Sequence, residues 1–522
     1  MTEYIETDVL VIGCGIAGGT AALTLAEKGI NVILVTRTID PIETNTYYAQ
    51  GGIIYQGKDD SPQLLAEDLN RAGDGHCNPE AVSILTEKGP KLVKEILIDK
   101  LKIKFDRKRN KELSLAREGS HSVARILHVK DTTGKSIEKS LMRVLKEQPK
   151  ITLLSGFTAI DLLTPSHHSL DRLQVYEKLS CCGAYLWDQR KKRVVRCLAK
   201  KIILATGGLG QIFLRSSNPD WARGDGVAMA YRAGARMINC EYVQFHPTTF
   251  HYKQAPHFLI SEAVRGAGAR LINSKGELFM KKYDPEWKDL APRDVVSRSI
   301  HQEMLEQGSA NVYLDFYSYL SSTEIKDKFP NIYQNCVSYN IDPTREAVPV
   351  VPAAHYFCGG IWVNQWGQST IENLYAVGEV SCTGLHGANR LASSSLLEGL
   401  VWGKRAAGHI TENISWISKP KLSNFPPWKT TGLEEPDPVL ISQDMSYIQN
   451  IMWNYVGLIR STPRLARALR ELRNLENEIE VFYRNSQLTD SLIGLRNAVR
   501  TAVVVTLAAW ENKTSKGCHF RV

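Results

Sequence analysis

The clearest chemistry stands near the start of the chain, where Gly13-Cys14-Gly15-Ile16-Ala17-Gly18 spells G-x-G-x-x-G. Glycines at this spacing let the backbone turn tightly and approach a pyrophosphate, whose charge is met by the amides of the following helix. The motif follows the apolar run Asp8 to Ile12 and opens the helical spacing of Ala17 to Lys28, the setting a nucleotide site needs. The acidic residue that would end the second strand and hold a ribose is missing: Asn31 to Val35 runs on into Thr36-Arg37. This departs from a plain nicotinamide-binding pattern. Asn45-Thr46-Tyr47-Tyr48-Ala49-Gln50-Gly51-Gly52 favours a flavin instead. It is too polar and glycine-rich for a core strand, and its small residues and amides suit one face of a flat isoalloxazine ring. A surface hairpin is the plainer alternative.

Six polar residues further along could handle a charged substrate. His246 precedes Pro247, Ser261 follows the apolar Phe258 to Ile260, His355 ends Pro352-Ala353-Ala354-His355, and Arg390 ends Gly387-Ala388-Asn389-Arg390. Arg293 stands in Pro292-Arg293-Asp294, and Glu118 in Arg117-Glu118-Gly119-Ser120-His121-Ser122. Each has a plain reading: a structural histidine, an idle strand serine, a solvated arginine, an Arg293–Asp294 surface pair, an exposed loop glutamate. An arginine is also a poor base near neutrality, because its pKa exceeds about 12.

These residues need elements to position them. At 522 residues the chain exceeds what one hydrophobic core supports, so two or three domains are expected. Asp8 to Val35 reads as a βαβ start. Ser61-Pro62 caps a helix through Ala72, and Asn78-Pro79 opens another. Residues 151–205 read as a β-rich insertion that closes on the strand Lys201 to Ala205 and the turn Gly207-Gly208. From Glu241 to Glu346 short strands mix with a helix near Asp294 to Gln307, as in a lid. The strand Leu374 to Val377 and the helix Leu396 to Glu412 return to the nucleotide fold. Lys419 to Pro438 reads as a linker, and Ile441 to Glu511 as a terminal helical bundle.

The fold class is therefore α/β: a Rossmann-like FAD-binding domain over 1–240 and 347–420, an inserted α+β capping domain over 241–346, and a C-terminal helical bundle over 421–522. No uninterrupted apolar run approaches the roughly 18 residues of a membrane span, and Val9 to Ile12 has no basic leader, so neither span nor signal is expected. Ten cysteines form no Cys-x-x-Cys pair, which predicts a reduced, cytoplasmic protein without a metal site. Adjacent Cys181 and Cys182 are assigned to a hairpin turn. The net charge of +9 comes from scattered Lys and Arg, with short clusters at 104–111, 190–193 and 460–473, and reads as solvated surface.

Taken together, the chain resembles the succinate dehydrogenase, fumarate reductase and L-aspartate oxidase flavoprotein family from about residue 8 to its end. Besides the glycine motif, the resemblance rests on Gly224-Asp225-Gly226, Glu241-Tyr242-Val243-Gln244-Phe245-His246-Pro247-Thr248, Pro292-Arg293-Asp294 and Gly378-Glu379, in the family's order. It implies that Gly13, Cys14, Gly15, Ile16, Ala17, Gly18, Arg37, Asn45 to Gly52, Asp225, Glu379, Ser395 and Leu396 line FAD. Gly207-Gly208 would shape the floor, and the helix opening at Leu396 would aim its positive end at the flavin. His246 with Ser261, which replaces an expected threonine, would hold one substrate carboxylate, and His355 with Arg390 the other. Arg293 resembles the family's proton-shuttling arginine. The family's flavin-linking histidine aligns with Asn45, so FAD is expected to be noncovalent.

Glu118 decides between substrates. A carboxylate repels succinate and fumarate but attracts the ammonium of L-aspartate, and by resemblance Arg117-Glu118-Gly119 is the aspartate oxidase form of this segment. The ending Gly517-Cys518-His519-Phe520 resembles the same branch. The expected reaction is hydride transfer from L-aspartate Cα to flavin N5, giving iminoaspartate, with oxygen or fumarate as acceptor. Quinolinate and NAD biosynthesis would follow, with quinolinate synthase a candidate partner, and neither nucleic acid nor membrane is expected. Two alternatives stand beside this reading. One is a fumarate reductase or succinate dehydrogenase flavoprotein, against which Glu118 and Asn45 count. The other is an RNA-binding flavoprotein, motivated by the Arg-rich 460–473 stretch, whose Leu465, Leu469 and Leu472 read more simply as a packed helix face.

Overall fold

The glycine motif fixes where the first strand meets the first helix. β1 (Tyr4–Ile12) ends at Gly13, whose φ is +109°, and α1 (Ile16–Glu27) starts behind Gly15. A Cβ at Gly13 would lie 2.1 Å from the Ala205 carbonyl oxygen, and one at Gly18 1.9 Å from that of Gly13. Neither position admits a side chain. β2 (Val32–Thr36) pairs in parallel with β1. α2 (Pro62–Ala72) and α3 (Pro79–Leu92) start as the sequence predicts, with Ser61 accepting from the Leu64 amide and Asn78 from the Glu80 amide. α4 (Thr133–Glu147) leads to β3 (Ile151–Ser155), parallel to β2. The structure, a computed structural model, describes residues 4–252, 255 and 258–522.

Residues 151–205 are part of the main sheet itself, which corrects their reading as an insertion. β4 (Phe157–Leu163), β5 (Gly183–Asp188) and β6 (Arg193–Leu204) extend it to the order β3-β2-β1-β6-β5-β4. β6 is twelve residues long, enough to pair antiparallel with β5 in its first half while running parallel to β1 through Leu204. Cys181 and Cys182 do not form a hairpin turn. Both are buried in the extended segment entering β5, where their amides donate to the Glu372 and Leu163 carbonyls, because small apolar thiols suit a packed interior. α5 (Asp225–Arg232) follows the left-handed Gly224.

A second, antiparallel sheet is built from β7 (Val243–Phe250), β8 (Arg270–Ile272), β9 (Val312–Asp315) and β10 (Val348–Phe357), in the order β7-β10-β9-β8. Between its strands lie α6 (Glu262–Ala267) and α7 (Arg293–Gln307), packed over an apolar core that includes Phe250, Val296, Ile300 and Leu314. One of its strands, β10, comes from beyond residue 346 and carries the chain back towards the main sheet. β11 (Leu374–Ala376) then adds to β6 in parallel, and α8 (Ser395–Asn413) packs on α1. The close approach needs Gly403, whose Cβ would meet the Ala17 carbonyl oxygen at 2.4 Å.

Three long helices finish the chain: α9 (Pro438–Val456), α10 (Thr462–Asn485) and α11 (Asp490–Glu511). Leu465, Leu469 and Leu472 are buried, as their spacing predicts. Two expectations need correction here. Arg460, assigned to solvated surface, is fully buried, and its guanidinium donates to the carbonyls of Val456, Gly457 and Glu241. α11 is long and apolar enough to cross a bilayer, although no uninterrupted apolar run is. Its polar residues are few because it packs against α9, α10 and α5, with Leu495, Ala498, Ala502 and Val505 at 0% exposure.

Ion pairs tie the bundle to the main sheet. Asp161 of β4 accepts from Arg232 of α5 at 2.6 Å and from Arg496 of α11 at 3.0 Å. Burial alone would raise this carboxyl, but the two guanidiniums outweigh it and hold it below the usual carboxylate value. Its stabilising effect is thus present above the unfolded pKa and is lost as pH falls through the lower folded value. Asp161→Asn removes the carboxylate between two mostly buried guanidiniums, of which Arg496 keeps Glu480 at 2.7 Å, and should cost about 2 kcal/mol of stability at neutral pH, read from the urea midpoint. A midpoint unchanged from the wild type would show that the pair does not hold the bundle.

Candidate active site

The C-terminal ends of the parallel strands β1, β2, β6 and β11 share one edge of the sheet, and a cavity opens along it. Gly13, Cys14, Gly15, Ile16 and Ala17 line it from the first turn, and Arg37 from the end of β2. Asn45, Thr46, Tyr48 and Ala49 line it from the polar loop; Asp225, Glu379, Ser395 and Leu396 complete the wall. Gly18, Tyr47, Gln50, Gly51 and Gly52 do not reach its surface. Gly18 packs the helix against the turn, and the Gly52 amide donates to Ser393 Oγ at 3.2 Å.

The cavity suits a dinucleotide with an electron-accepting ring. Two helices, α1 and α8, present N-termini to it, and neither has a side-chain cap. Amides of the first turn of α1 beyond that of Ile16 suit a pyrophosphate, and the dipole of the second helix suits negative charge on a reduced ring. Thr46 Oγ1 accepts from the Ile16 amide at 3.0 Å, and a Cβ at Gly15 would meet the same oxygen at 3.0 Å. The polar loop is thereby drawn tightly over the glycine turn. Asn45 Nδ2 donates to Glu379 Oε2 at 3.3 Å, and the Phe357 amide to Glu379 Oε1 at 3.0 Å.

A buried polar cluster lies beside this cavity. His355 and Arg390 line the cavity, and the His246 ring centroid is 5.1 Å from that of His355. Pro247 within β7 cannot donate to a ladder, and the register shifts between His246 and Thr249. This irregularity sets His246 in the sheet face. The Thr248 amide donates to His246 Nδ1 at 3.2 Å, so Nε2 carries the proton, and it has no partner among the described residues. Burial, reinforced by Arg293 and His355, pushes this histidine well below its usual pKa and keeps it neutral. His355 is lowered in the same way, with its Nδ1 2.8 Å from Ser217 Oγ. Arg390 lies over the Tyr356 ring, 4.4 Å from its centroid, and burial with Arg293 nearby lowers it to about 10. Its Nε also has no described partner.

Arg293 opens α7 but forms no pair with Asp294, which corrects the surface-pair alternative. Its Nε donates to Glu262 Oε2 at 2.7 Å and its NH1 to Gln244 Oε1 at 3.1 Å, while Asp294 is held by Arg298 and Asn389. Ser261 is no strand residue: it caps α6, accepting from the Ala263 amide at 3.3 Å. Glu118 is buried, with Oε2 accepting from Ser393 Oγ at 2.7 Å, which excludes the exposed-loop alternative. Burial raises its carboxyl, and Glu262 adds to this, while Ser393, Arg293 and Arg390 oppose.

Four neighbours of these groups escape sequence reasoning. Glu262 directly follows Ser261, and a Cβ at Gly119 would lie 1.9 Å from its Oε1, which places it against the Glu118 loop. Gln244 stands two residues before His246 in the quoted motif and donates to Asn389 and to the Arg390 carbonyl. Ser393 holds Glu118 from a left-handed backbone, φ +57°, an uncommon conformation for a residue with a side chain. Tyr356 follows His355 and supports Arg390. Adjacency to a motif is the one available signal, since no spacing rule links them.

Residues 8–396 match the model of the family described as "FAD binding domain", and residues 445–522 that of "Fumarate reductase flavoprotein C-term". The chain is 40% identical over 523 residues to an L-aspartate oxidase of Yersinia pestis, covering 99% of this chain and 96% of the relative. It is 39% identical over 530 residues to an L-aspartate oxidase of Halobacterium salinarum, covering 100% and 97%. A solved structure of the E. coli quinol fumarate reductase FrdA, a point variant, superposes with a TM-score of 0.89 over 100% of this chain and 92% of that one. At 24% identity this is a likeness of fold.

Glu379 gives the cavity a measurable pH signature. Burial raises its carboxyl from 4.5 to about 7, against the Phe357 amide, Arg390 and Asn45, which favour the anion. A raised folded value means that its contribution to stability is fully present below 4.5 and is lost as pH rises through about 7. In flavin-free protein the loss should reach about 3 kcal/mol. Denaturant unfolding at pH 5 and pH 8 should show a smaller decline in Glu379→Gln than in the wild type; equal declines would exclude this assignment.

Proposed function

The chain belongs to the L-aspartate oxidases of the succinate dehydrogenase and fumarate reductase flavoprotein family, and from that premise we propose that its buried polar cluster oxidises L-aspartate to iminoaspartate beside noncovalently held FAD. The observation that carries the reading is Glu118: a buried carboxylate held only by the neutral Ser393 hydroxyl, whereas its neighbour Glu262 is already paired with Arg293. Such a group is costly unless a cation meets it. The ammonium of an amino dicarboxylate supplies that cation, and succinate or fumarate does not.

The remaining residues divide the substrate between them. His246, neutral and donating through Nε2, acts with Ser261 on one carboxylate; His355 and Arg390 act on the other. Charged or numerous donors are needed at both ends, because desolvated carboxylates are stable only when paired. Tyr356 packs its ring against the Arg390 guanidinium and supports it from one side. Arg293, clasped by Glu262 and Gln244, holds positive charge over the reacting carbons. In L-aspartate oxidation its role is electrostatic, since an arginine is a poor base at neutral pH; in fumarate reduction it can donate a proton to carbon. FAD, when bound, supplies the two-electron acceptor at N5 that the side chains lack.

Asn45 bears on how FAD is held. It presents a carboxamide bonded to Glu379, which is no nucleophile for a flavin linkage. Oxygen or fumarate then takes the electrons. The product imine hydrolyses in water, so quinolinate synthase, which consumes it towards NAD, is the partner this reading implies. All ten cysteines are free thiols, in keeping with the reducing cytoplasm as the place of action.

Two measurements test the reading. Acid precipitation should leave the flavin in the supernatant and a colourless pellet; a yellow pellet would mean a covalent link. Glu118→Gln should raise the KM for L-aspartate by about 10- to 100-fold, as loss of a charged hydrogen bond does, without weakening inhibition by succinate. An unchanged KM would end the amine-recognition role.

A further inference from the structure

The missing acid at the end of β2 leads to an inference about the far end of the chain. Arg37 stands where a dinucleotide fold commonly has its ribose-binding carboxylate. Its Nε donates to Asp490 Oδ1 at 2.8 Å, across 453 residues of sequence. The same carboxyl oxygen accepts from Thr158 Oγ1 at 2.7 Å, and Arg223 NH1 reaches the Asp490 carbonyl at 3.2 Å. Arg223 NH2 also donates to Asp225 Oδ2 at 3.2 Å, and Asn497 Nδ2 to Asp225 Oδ1 at 2.9 Å. One helical turn further, Thr501 Oγ1 donates to the Gly224 carbonyl at 3.1 Å. Arg37, Thr158 and Asp225 all line the cofactor cavity.

Asp490, Gly494, Asn497 and Thr501 are spaced four, three and four apart, so they form one stripe along α11. Gly494 belongs to it for a steric reason: a Cβ there would lie 2.0 Å from Arg223 NH1, so only glycine lets the guanidinium lie along the helix. Asn497 and Thr501 are fully buried, where unpaired polar groups are costly. On the opposite side of α11, Leu492, Leu495, Val499 and Val503 pack as core.

We propose that this stripe makes the C-terminal helix a structural wall of the cofactor site, with Asp490 the positioning residue that aims Arg37 and braces the Arg223–Asp225 turn. The proposal rests on the reading of the cavity as an FAD site and goes beyond it, because it makes cofactor affinity depend on the polar stripe of the terminal helix. Arg37 NH1 is buried and has no partner among the described residues, so Asp490 satisfies only part of this guanidinium. Linkage makes the dependence reciprocal: whatever α11 adds to FAD affinity, bound FAD adds to the docking of α11.

The test compares two variants of one helix. Release of FAD from the diluted holoenzyme, followed by the fluorescence of the freed flavin, gives the dissociation constant. Asp490→Asn should raise it about tenfold or more, with the KM for L-aspartate at saturating FAD unchanged. Val499→Ala removes core contacts from the same helix without touching the stripe; it should lower thermal stability and leave FAD affinity unaltered. Equal loss of affinity in both variants, or none in Asp490→Asn, overturns the proposal. Should Asp490→Asn fail to fold, hydrogen exchange of wild-type protein decides: amides of 490–501 should exchange more slowly with FAD than after its removal, and identical rates overturn it. A wild-type protein that retains no FAD at all would instead overturn the reading of the cavity.

Discussion

The site is governed by the cost of keeping several charges out of water within a few ångströms of one another. Arg293, Arg390, Glu118 and Glu262 are all buried, and each is stable only because a neighbour answers it. Arg293 is neutralised by Glu262 and braced by Gln244, Arg390 is spread over Tyr356, and Glu118 is held by Ser393. On the proposed reading, two requirements of the cluster are left to the ligand: carboxylates for Arg390 and the neutral donor of His246, and a cation for Glu118. The proposed substrate, an amino dicarboxylate, would satisfy all of them at once.

No single element could hold such a cluster, and the fold divides the work. The main sheet brings four parallel strand ends to one edge, where the uncapped helices α1 and α8 face the cavity. The antiparallel sheet adds His246 and His355 from adjacent strands, β7 and β10, which pair directly. α7 presents Arg293 at its first residue, and the loop before α8 carries Arg390 and Ser393. The bundle contributes through α11, and the tail closes the shell: Cys518 Sγ donates to Asn389 Oδ1, which also accepts from Gln244.

How much of this could be read from the sequence depends on the range of the interaction. The Gly13 to Gly18 turn is local, so spacing alone identifies it, as it does the starts of α2 and α3 and the buried stripe of α10. The family motifs add His246, His355, Arg390, Arg293 and Glu118 as candidates. Charge state and partners lie outside that reach. Arg460 stands in an arginine-rich stretch and looks solvated, yet carbonyls from distant segments bury it. Nothing in Cys181-Cys182 distinguishes a turn from a packed segment, and α11 interrupts its apolar run often enough to hide a helix of membrane-spanning length.

The sequence by itself determined the class of fold, the position of the nucleotide turn and the residue types available for a dicarboxylate, because these follow from periodicity, glycine sterics and side-chain chemistry. Only the tertiary structure decided which charges meet. Arg293 pairs with Glu262 instead of its neighbour Asp294, Glu118 is buried against Ser393, and Arg37 finds its carboxylate on the last helix. Electrostatic pairing acts through space, and burial multiplies its strength. Proximity along the chain therefore says little about it, and the packing of elements hundreds of residues apart says nearly everything.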